Sequence, residues 1–223
     1  MGKYVNEEGF LVYSGFWWKL ALPEVILLVY LGVIGVTCIW ATSRPTGGWT
    51  EVFVGVLFGL SVWTLFEYVL HRWLLHHTRY PLLRKIFWNG LHKEHHMYRQ
   101  MKDPEHHGIH LAISLPIVLL LISSAGVVTE SGWGLATAAG WILGYWLYEA
   151  IHWLFHAGDP QGNFGRFQPI HGLWAAHTVH HLHRADKNYG FVTLFWDRCF
   201  GTYLPIERAR ARRIDGSAEG PPA

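Results

Sequence analysis

Four long apolar stretches set the pattern along this chain, at residues 22–40, 52–70, 109–128 and 133–155. Each is close to the roughly 20 residues that a helix rising about 1.5 Å per residue needs to cross a hydrocarbon core. The pattern therefore predicts four transmembrane helices. The connections at 41–51 and 129–132 are short and carry Gly, Pro or Ser, so the helices pair as two antiparallel hairpins. The longer polar segments lie between the hairpins and after the second one. Residues 208–223, rich in Ala, Arg, Gly and Pro, read as a disordered tail that follows a single domain at 1–207.

The basic residues orient this arrangement. Segment 71–108 holds seven Lys and Arg and the chain from His156 onward holds eight, whereas the two hairpin connections hold one between them. Positive charge collects on the cytoplasmic side of a membrane, which puts both termini and both polar segments there. The compartment is the inner membrane in a bacterium or the endoplasmic reticulum in a eukaryote. A cleavable signal peptide is not expected, because Glu7 and Glu8 precede the first apolar run and no clean small-residue cleavage site follows it. The fold class is thus all-α and integral to the membrane, with four transmembrane helices under a cytosolic histidine-rich helical cap.

Composition narrows the function. The chain is 51% hydrophobic and only 15% charged, and its net charge of +2 shows no basic stripe, so nucleic acid is excluded as a partner. Cys38 and Cys199 make neither a disulfide framework nor a C-x-x-C motif. Histidine is the outlier, with 16 residues.

Ten of these histidines fall into four clusters: HRWLLH (His71, His76), HKEHH (His92, His95, His96), HWLFH (His152, His156) and HTVHH (His177, His180, His181). Residues three and four apart share a helix face, so the second, third and fourth clusters can each converge on one point. His71 and His76 are five apart, about 140° around an ideal α-helix, and can meet only if the helix ends or bulges between them. At this histidine content one HxxHH is expected by chance roughly 0.1 times per sequence, and here there are two, flanked by two more pairs. All ten fall at the predicted cytoplasmic face.

Ten imidazoles exceed what one ion of four to six ligands can use, so two metal ions with about five imidazoles each, leaving a position open, is the economical reading. Imidazole suits iron, zinc, copper and nickel alike. A cysteine-free, all-imidazole site in a lipid-embedded protein suits oxygen activation against an unactivated C–H bond, which favours iron. No catalytic residue beyond the metal ligands is singled out. His77, His106, His107, His110, His171 and His183 lack such spacing and read as surface or supporting residues. Glu67 and Glu149 lie inside apolar segments, where an ionisable group needs a partner, and an imidazole N–H is the expected one. Asp186, Asn188 and Asp197 are candidates for the same role. The aromatic residues Trp63, Phe66, Tyr68, Trp73, Trp141, Tyr145, Trp146, Tyr148, Trp153 and Phe155 read as a belt at headgroup level.

The four boxes, in the order HxxxxH, HxxHH, HxxxH and HxxHH, resemble the fatty acid hydroxylase and sterol desaturase superfamily from about Phe66 to Thr202. The segments FEYVLHRWLLH, GYWLYEAIHWLFHAGDP and HTVHHLHRADKNYGFVTLFWDRCFGT are similar to its fatty acid 2-hydroxylase branch. The resemblance implies a four-helix membrane core and the ten box histidines as ligands of two iron ions, with zinc able to occupy the same site on isolation. It also implies O2 as co-substrate, a lipid substrate taken from the bilayer, and hydroxylation of its acyl chain as the reaction. Some relatives carry a fused cytochrome b5 domain. No His-Pro-Gly-Gly haem signature occurs here, so electrons are expected from a separate donor of cytochrome b5 or ferredoxin type. The sequence MYRQMKDPEHHGIH after the second box departs from the 2-hydroxylases. The alternatives are a sterol or carotenoid hydroxylase or desaturase with the same site, and, from another class, a non-catalytic metal or haem membrane protein.

Overall fold

Helices begin where the apolar stretches begin. A computed structural model of the chain describes residues 2–5, 11–14, 23–97, 111–128, 131–157 and 168–208. Helix α1 spans Pro23–Thr42 and α2 spans Trp49–Val69. Pro23 stands at the first position of α1, where its missing N–H costs no helical hydrogen bond. Two later apolar stretches form α5, Leu111–Val128, and α6, Gly132–Ala157, while α3 (Pro81–Leu83) and α4 (Lys93–Met97) are short. Helix α7 covers Gln168–Leu182 and α8 covers Phe195–Cys199. The all-α expectation holds for the body of the chain. To it the structure adds an antiparallel hairpin, β1 (Gly2–Val5) paired with β2 (Leu11–Ser14) in the register Gly2 to Ser14.

The chain divides into two compact units, Met1–Thr64 with Lys102–Trp153, and Leu65–Met101 with Leu154–Ala223. In the first unit α2 and α6 meet through small residues. A Cβ added at Gly59 would lie 2.0 Å from the Thr137 carbonyl oxygen, and one at Gly140 2.1 Å from that of Val56. Gly55 and Gly59 on α2, and Gly140 and Gly144 on α6, repeat at four-residue spacing, so backbones approach closely along one stripe of each helix. Ile26, Tyr30, Trp63, Val118, Leu135, Ile142 and Tyr145 fill the core of this unit. Trp63 packs edge-on to Trp141 and Tyr145, at 5.5 and 5.6 Å between ring centroids. These aromatic residues are therefore core and not belt, a correction that follows from the space opened opposite Gly144.

The outer surface of this unit is also apolar. Leu28, Val36, Ile39, Phe53, Ile117 and Leu120 are each more than 60% exposed. Helices that are apolar on every side belong to a membrane interior or to the core of a large protein. Among the described residues two helical spans, Glu24–Thr42 and Trp49–His76, are long and apolar enough to cross a bilayer, and Ile113–Val127 is a shorter apolar helix.

In the second unit α2 continues as a π-helix over Leu70–His76, and another π-helical segment, Arg84–His92, leads into α4. After α7 the chain turns through Asn188, whose φ of 56° lies in the left-handed region, and returns through α8. Val179 and Leu204 form a small apolar cluster with Ile206 beneath that return.

Candidate metal centre

The π-helix resolves the spacing of the first histidine box. Hydrogen bonds from residue i+5 to residue i widen each turn, and the N–H of His77 donates to the carbonyl of Arg72 at 3.1 Å in this pattern. Residues five apart then stand on one face, and the rings of His71 and His76 come within 5.0 Å of each other. This is the local departure that the five-residue interval requires.

Five imidazoles converge in the second unit: His71, His76, His92, His96 and His180, whose ligand nitrogens all lie within 4.8 Å of one another. The Nε2 atom of His92 is 3.1 Å from that of His71, 3.0 Å from that of His76 and 3.0 Å from that of His96. His180 closes the set, its Nε2 being 3.1 Å from His76 and 3.2 Å from His96. His71, His92 and His180 are buried and the other two half-buried.

Two of these rings have a determined tautomer. His71 Nδ1 donates to the carbonyl of Tyr189 at 2.6 Å, and His180 Nδ1 donates to that of Lys187 at 2.7 Å. Their protons sit on Nδ1, so both Nε2 atoms present bare lone pairs to the centre. Burial holds His92 well below the ordinary imidazole range, the neighbouring imidazoles adding to the effect, and it pushes His180 down to about 4. The bare lone pairs of His71 and His180 face three further imidazole nitrogens at the centre of the set. They fit a cation, because nitrogens at right angles around an ion bound at about 2.1 Å stand about 3.0 Å apart.

A second group lies beside the first. The rings of His177 and His181 are 4.3 Å apart, and that of His95 is 4.5 Å from His181, all three side chains being buried. His96 stacks on His181 at 4.4 Å, so the two groups adjoin. Phe191 covers both, 5.0 Å from His71 and 4.8 Å from His177. His152 is buried near the end of α6, its ring 5.4 Å from Tyr148. His156 lies on the last turn of α6, and its side chain is outside the described residues, as are His106, His107 and His110.

Two of the acidic candidates, Glu67 and Asp197, accept from backbone N–H groups. Glu67 accepts from the N–H groups of Phe191 and Val192, where an imidazole was expected. Asp197 accepts from the N–H groups of Tyr189 and Gly190, both at 2.8 Å, and from the Thr202 hydroxyl at 2.7 Å. Its burial raises the carboxyl above its usual range against the pull of these donors. Asp186 pairs with Arg184 through two bonds of 2.8 Å. Glu149 is buried in α6. His77 forms a 2.6 Å hydrogen bond with the Tyr189 hydroxyl, a supporting position, while His171 is exposed and His183 half-buried. Sequence reading missed the carbonyls of Lys187 and Tyr189 as partners of ligand rings. The available signal was the Asn188-Tyr189-Gly190 run, since asparagine tolerates the left-handed conformation that such a turn needs.

The chain is similar to known proteins. The family model described as fatty acid hydroxylase matches residues 56–202. A dihydroceramide fatty acyl 2-hydroxylase of Arabidopsis thaliana is 29% identical over 207 residues, which cover 88% of this chain and 77% of that protein. The fatty acid 2-hydroxylase of Macaca fascicularis is 31% identical over 209 residues, 85% of this chain and 53% of its own. A solved structure of full-length scs7p, with only the hydroxylase domain visible, superposes with a TM-score of 0.68 at 23% identity, covering 88% of this chain and 72% of that one. The last likeness is one of fold.

Proposed function

The chain belongs to the fatty acid hydroxylase family, and from that premise we propose that it is a di-iron membrane enzyme that hydroxylates a lipid acyl chain at the 2-position. The relatives named for fatty acyl 2-hydroxylation support the substrate class. The observation that carries the reading is the set of five Nε2 atoms turned on one another, two of them with their protons fixed on the opposite nitrogen.

His71, His76, His92, His96 and His180 would hold one ion. We assign His95, His177 and His181 to the other, with His152 and His156 of the third box completing the ten ligands expected from the sequence. Iron in these positions supplies the oxygen chemistry, in which R–H, O2, two electrons and two protons become R–OH and water. The protein's own share is position and dryness. The Lys187 and Tyr189 carbonyls keep the rings of His180 and His71 turned inward, and Phe191 lies against a ring of each group, closing that side to water.

A lipid reaches such a site through the bilayer, and electrons come from a separate donor of cytochrome b5 or ferredoxin type. We place α1, α2, α5 and α6 across the membrane with both termini and the histidine groups on the cytoplasmic side. The apolar outer faces of α1, α2 and α5 and the basic residues of 71–108 support this placement. Mass spectrometry of lipids from a host expressing either the wild type or His180→Ala tests the function. A 2-hydroxylated acyl product is expected only with the wild type, and identical lipid profiles would overturn the reading.

A further inference from the structure

The two carbonyls that flank Asn188 serve imidazoles from opposite ends of the sequence pattern. Lys187 C=O receives the Nδ1 proton of His180, from the last box, and Tyr189 C=O that of His71, from the first. Between them Asn188 has a φ of 56°, a left-handed conformation disfavoured for any residue with a Cβ and most readily adopted by glycine. A glycine would satisfy the turn without strain. What the asparagine adds is its side chain.

That side chain is buried, with 2% of its residue surface exposed, and is bonded to backbone at both its polar ends. Nδ2 donates to the carbonyl of Ala176 at 3.1 Å and to that of Leu204 at 2.9 Å, while Oδ1 accepts from the N–H of Leu204 at 2.8 Å. Its own N–H donates to the carbonyl of Thr202 at 3.0 Å. Ala176 lies on α7, next to His177 and four residues before His180, so this one amide ties the ligand-bearing helix to the turn that orients the ligand. Asp197 holds the far side of the same turn through the N–H groups of Tyr189 and Gly190.

We propose that Asn188 is a positioning residue of the five-histidine metal site. Its side chain fixes the turn, and through the two flanking carbonyls it keeps the protons of His71 and His180 on Nδ1 and their Nε2 lone pairs on the ion. The inference rests on the metal reading given above. An ordinary surface turn would not join its amide to three backbone groups of two other segments, nor aim both neighbouring carbonyls at ligand rings.

The test uses the full chain in detergent, stripped of metal and titrated with Co(II), with binding followed by its visible absorption and by metal content. His92→Ala and His177→Ala identify which ion belongs to which group. Asn188→Gly keeps the conformation free of strain but removes all three side-chain bonds. It is expected to weaken the ion lost in His92→Ala by about 10- to 100-fold, the cost of removing groups that orient metal ligands, and to leave the other ion unchanged. Asn188→Asp keeps the Oδ1 acceptor but turns a carboxylate oxygen toward the Ala176 and Leu204 carbonyls in place of the two donors, so it should weaken the same ion at least as much as Asn188→Gly. Wild-type affinity for both ions in both variants would overturn the inference, as would equal weakening of the two ions. If Asn188→Gly loses its helical circular dichroism, Asn188→Asp decides by the same selectivity. A wild type that binds no Co(II) would instead sink the metal reading, and the inference with it.

Discussion

The Glu67 carboxylate accepts from the backbone N–H of Phe191 across 124 positions of sequence, and from that of Val192 at 3.1 Å with the same oxygen. Phe191 is the residue that lies against a ring of each histidine group, so this carboxylate fixes the wall of the site without touching a ligand in that contact. Hydrogen bonds to a charged group contribute about 1.5–3 kcal/mol each, and buried N–H groups left without an acceptor are costly. Glu67→Ala should therefore lower stability by about 3 kcal/mol, whereas Glu67→Gln, which keeps one carbonyl oxygen in place, should lose about half as much. Thermal unfolding in detergent, followed by circular dichroism, measures both. Equal melting temperatures for wild type and Glu67→Ala would refute the clamp.

The close approach of α2 and α6 yields a prediction of a different kind, because no bond is broken. A methyl group at Gly59 or Gly140 would strike a backbone carbonyl that cannot rotate away. Overpacking of this sort costs about 1–3 kcal/mol. Gly59→Ala and Gly140→Ala should each destabilise by that amount, whereas Gly35→Ala, where nothing lies within 4 Å, should leave the melting temperature unchanged. A Gly35→Ala loss as large as the other two would remove the packing argument.

Which parts of this were legible in the sequence depends on the length scale of the cause. Helix positions follow from runs of apolar residues, a local property, and so does the need for a bulge between His71 and His76, which follows from a five-residue interval on a 3.6-residue helix. The meeting of boxes one, two and four was inferable from residue chemistry, since separated imidazole clusters have few other uses. The role of Glu67 was not, because a buried carboxylate in an apolar helix announces a need for donors without saying which. Phe191 and Val192 donate through backbone groups that every residue carries. The same holds for Trp63, whose burial opposite Gly144 depends on which helix faces which.

The two histidine groups should lose their ions separately. His92 lies 3.0–3.1 Å from three other nitrogens of the first group, and His177 belongs to the second. Each of His92→Ala and His177→Ala is expected to reduce the metal content from two ions to one and to lower hydroxylation at least about 100-fold, beyond the range seen for residues that only orient ligands. Elemental analysis alongside product formation checks this. Full activity with one ion remaining would mean that only one group is part of the reaction centre.

Removing both ions should loosen the second unit much more than the first. A ligand that binds only the folded state stabilises it by about 4 kcal/mol when present at roughly 1,000 times its Kd. Chelation also removes the shared partner of the inward Nε2 lone pairs of His71 and His180. The histidine groups join the π-helical segments Leu70–His76 and Arg84–His92 to α7, which makes that unit depend on the ions. The stripe of Gly55, Gly59, Gly140 and Gly144 holds α2 against α6 by close packing of backbone and apolar side chains, which a chelator does not reach. Hydrogen exchange read by mass spectrometry should accordingly show lost protection over residues 70–97 and 175–206 after chelation, and little change over residues 52–62 and 133–148. Uniform loss across all four stretches would show that the ions sustain the whole fold, and no loss in any of them would show that the imidazoles keep their places without metal.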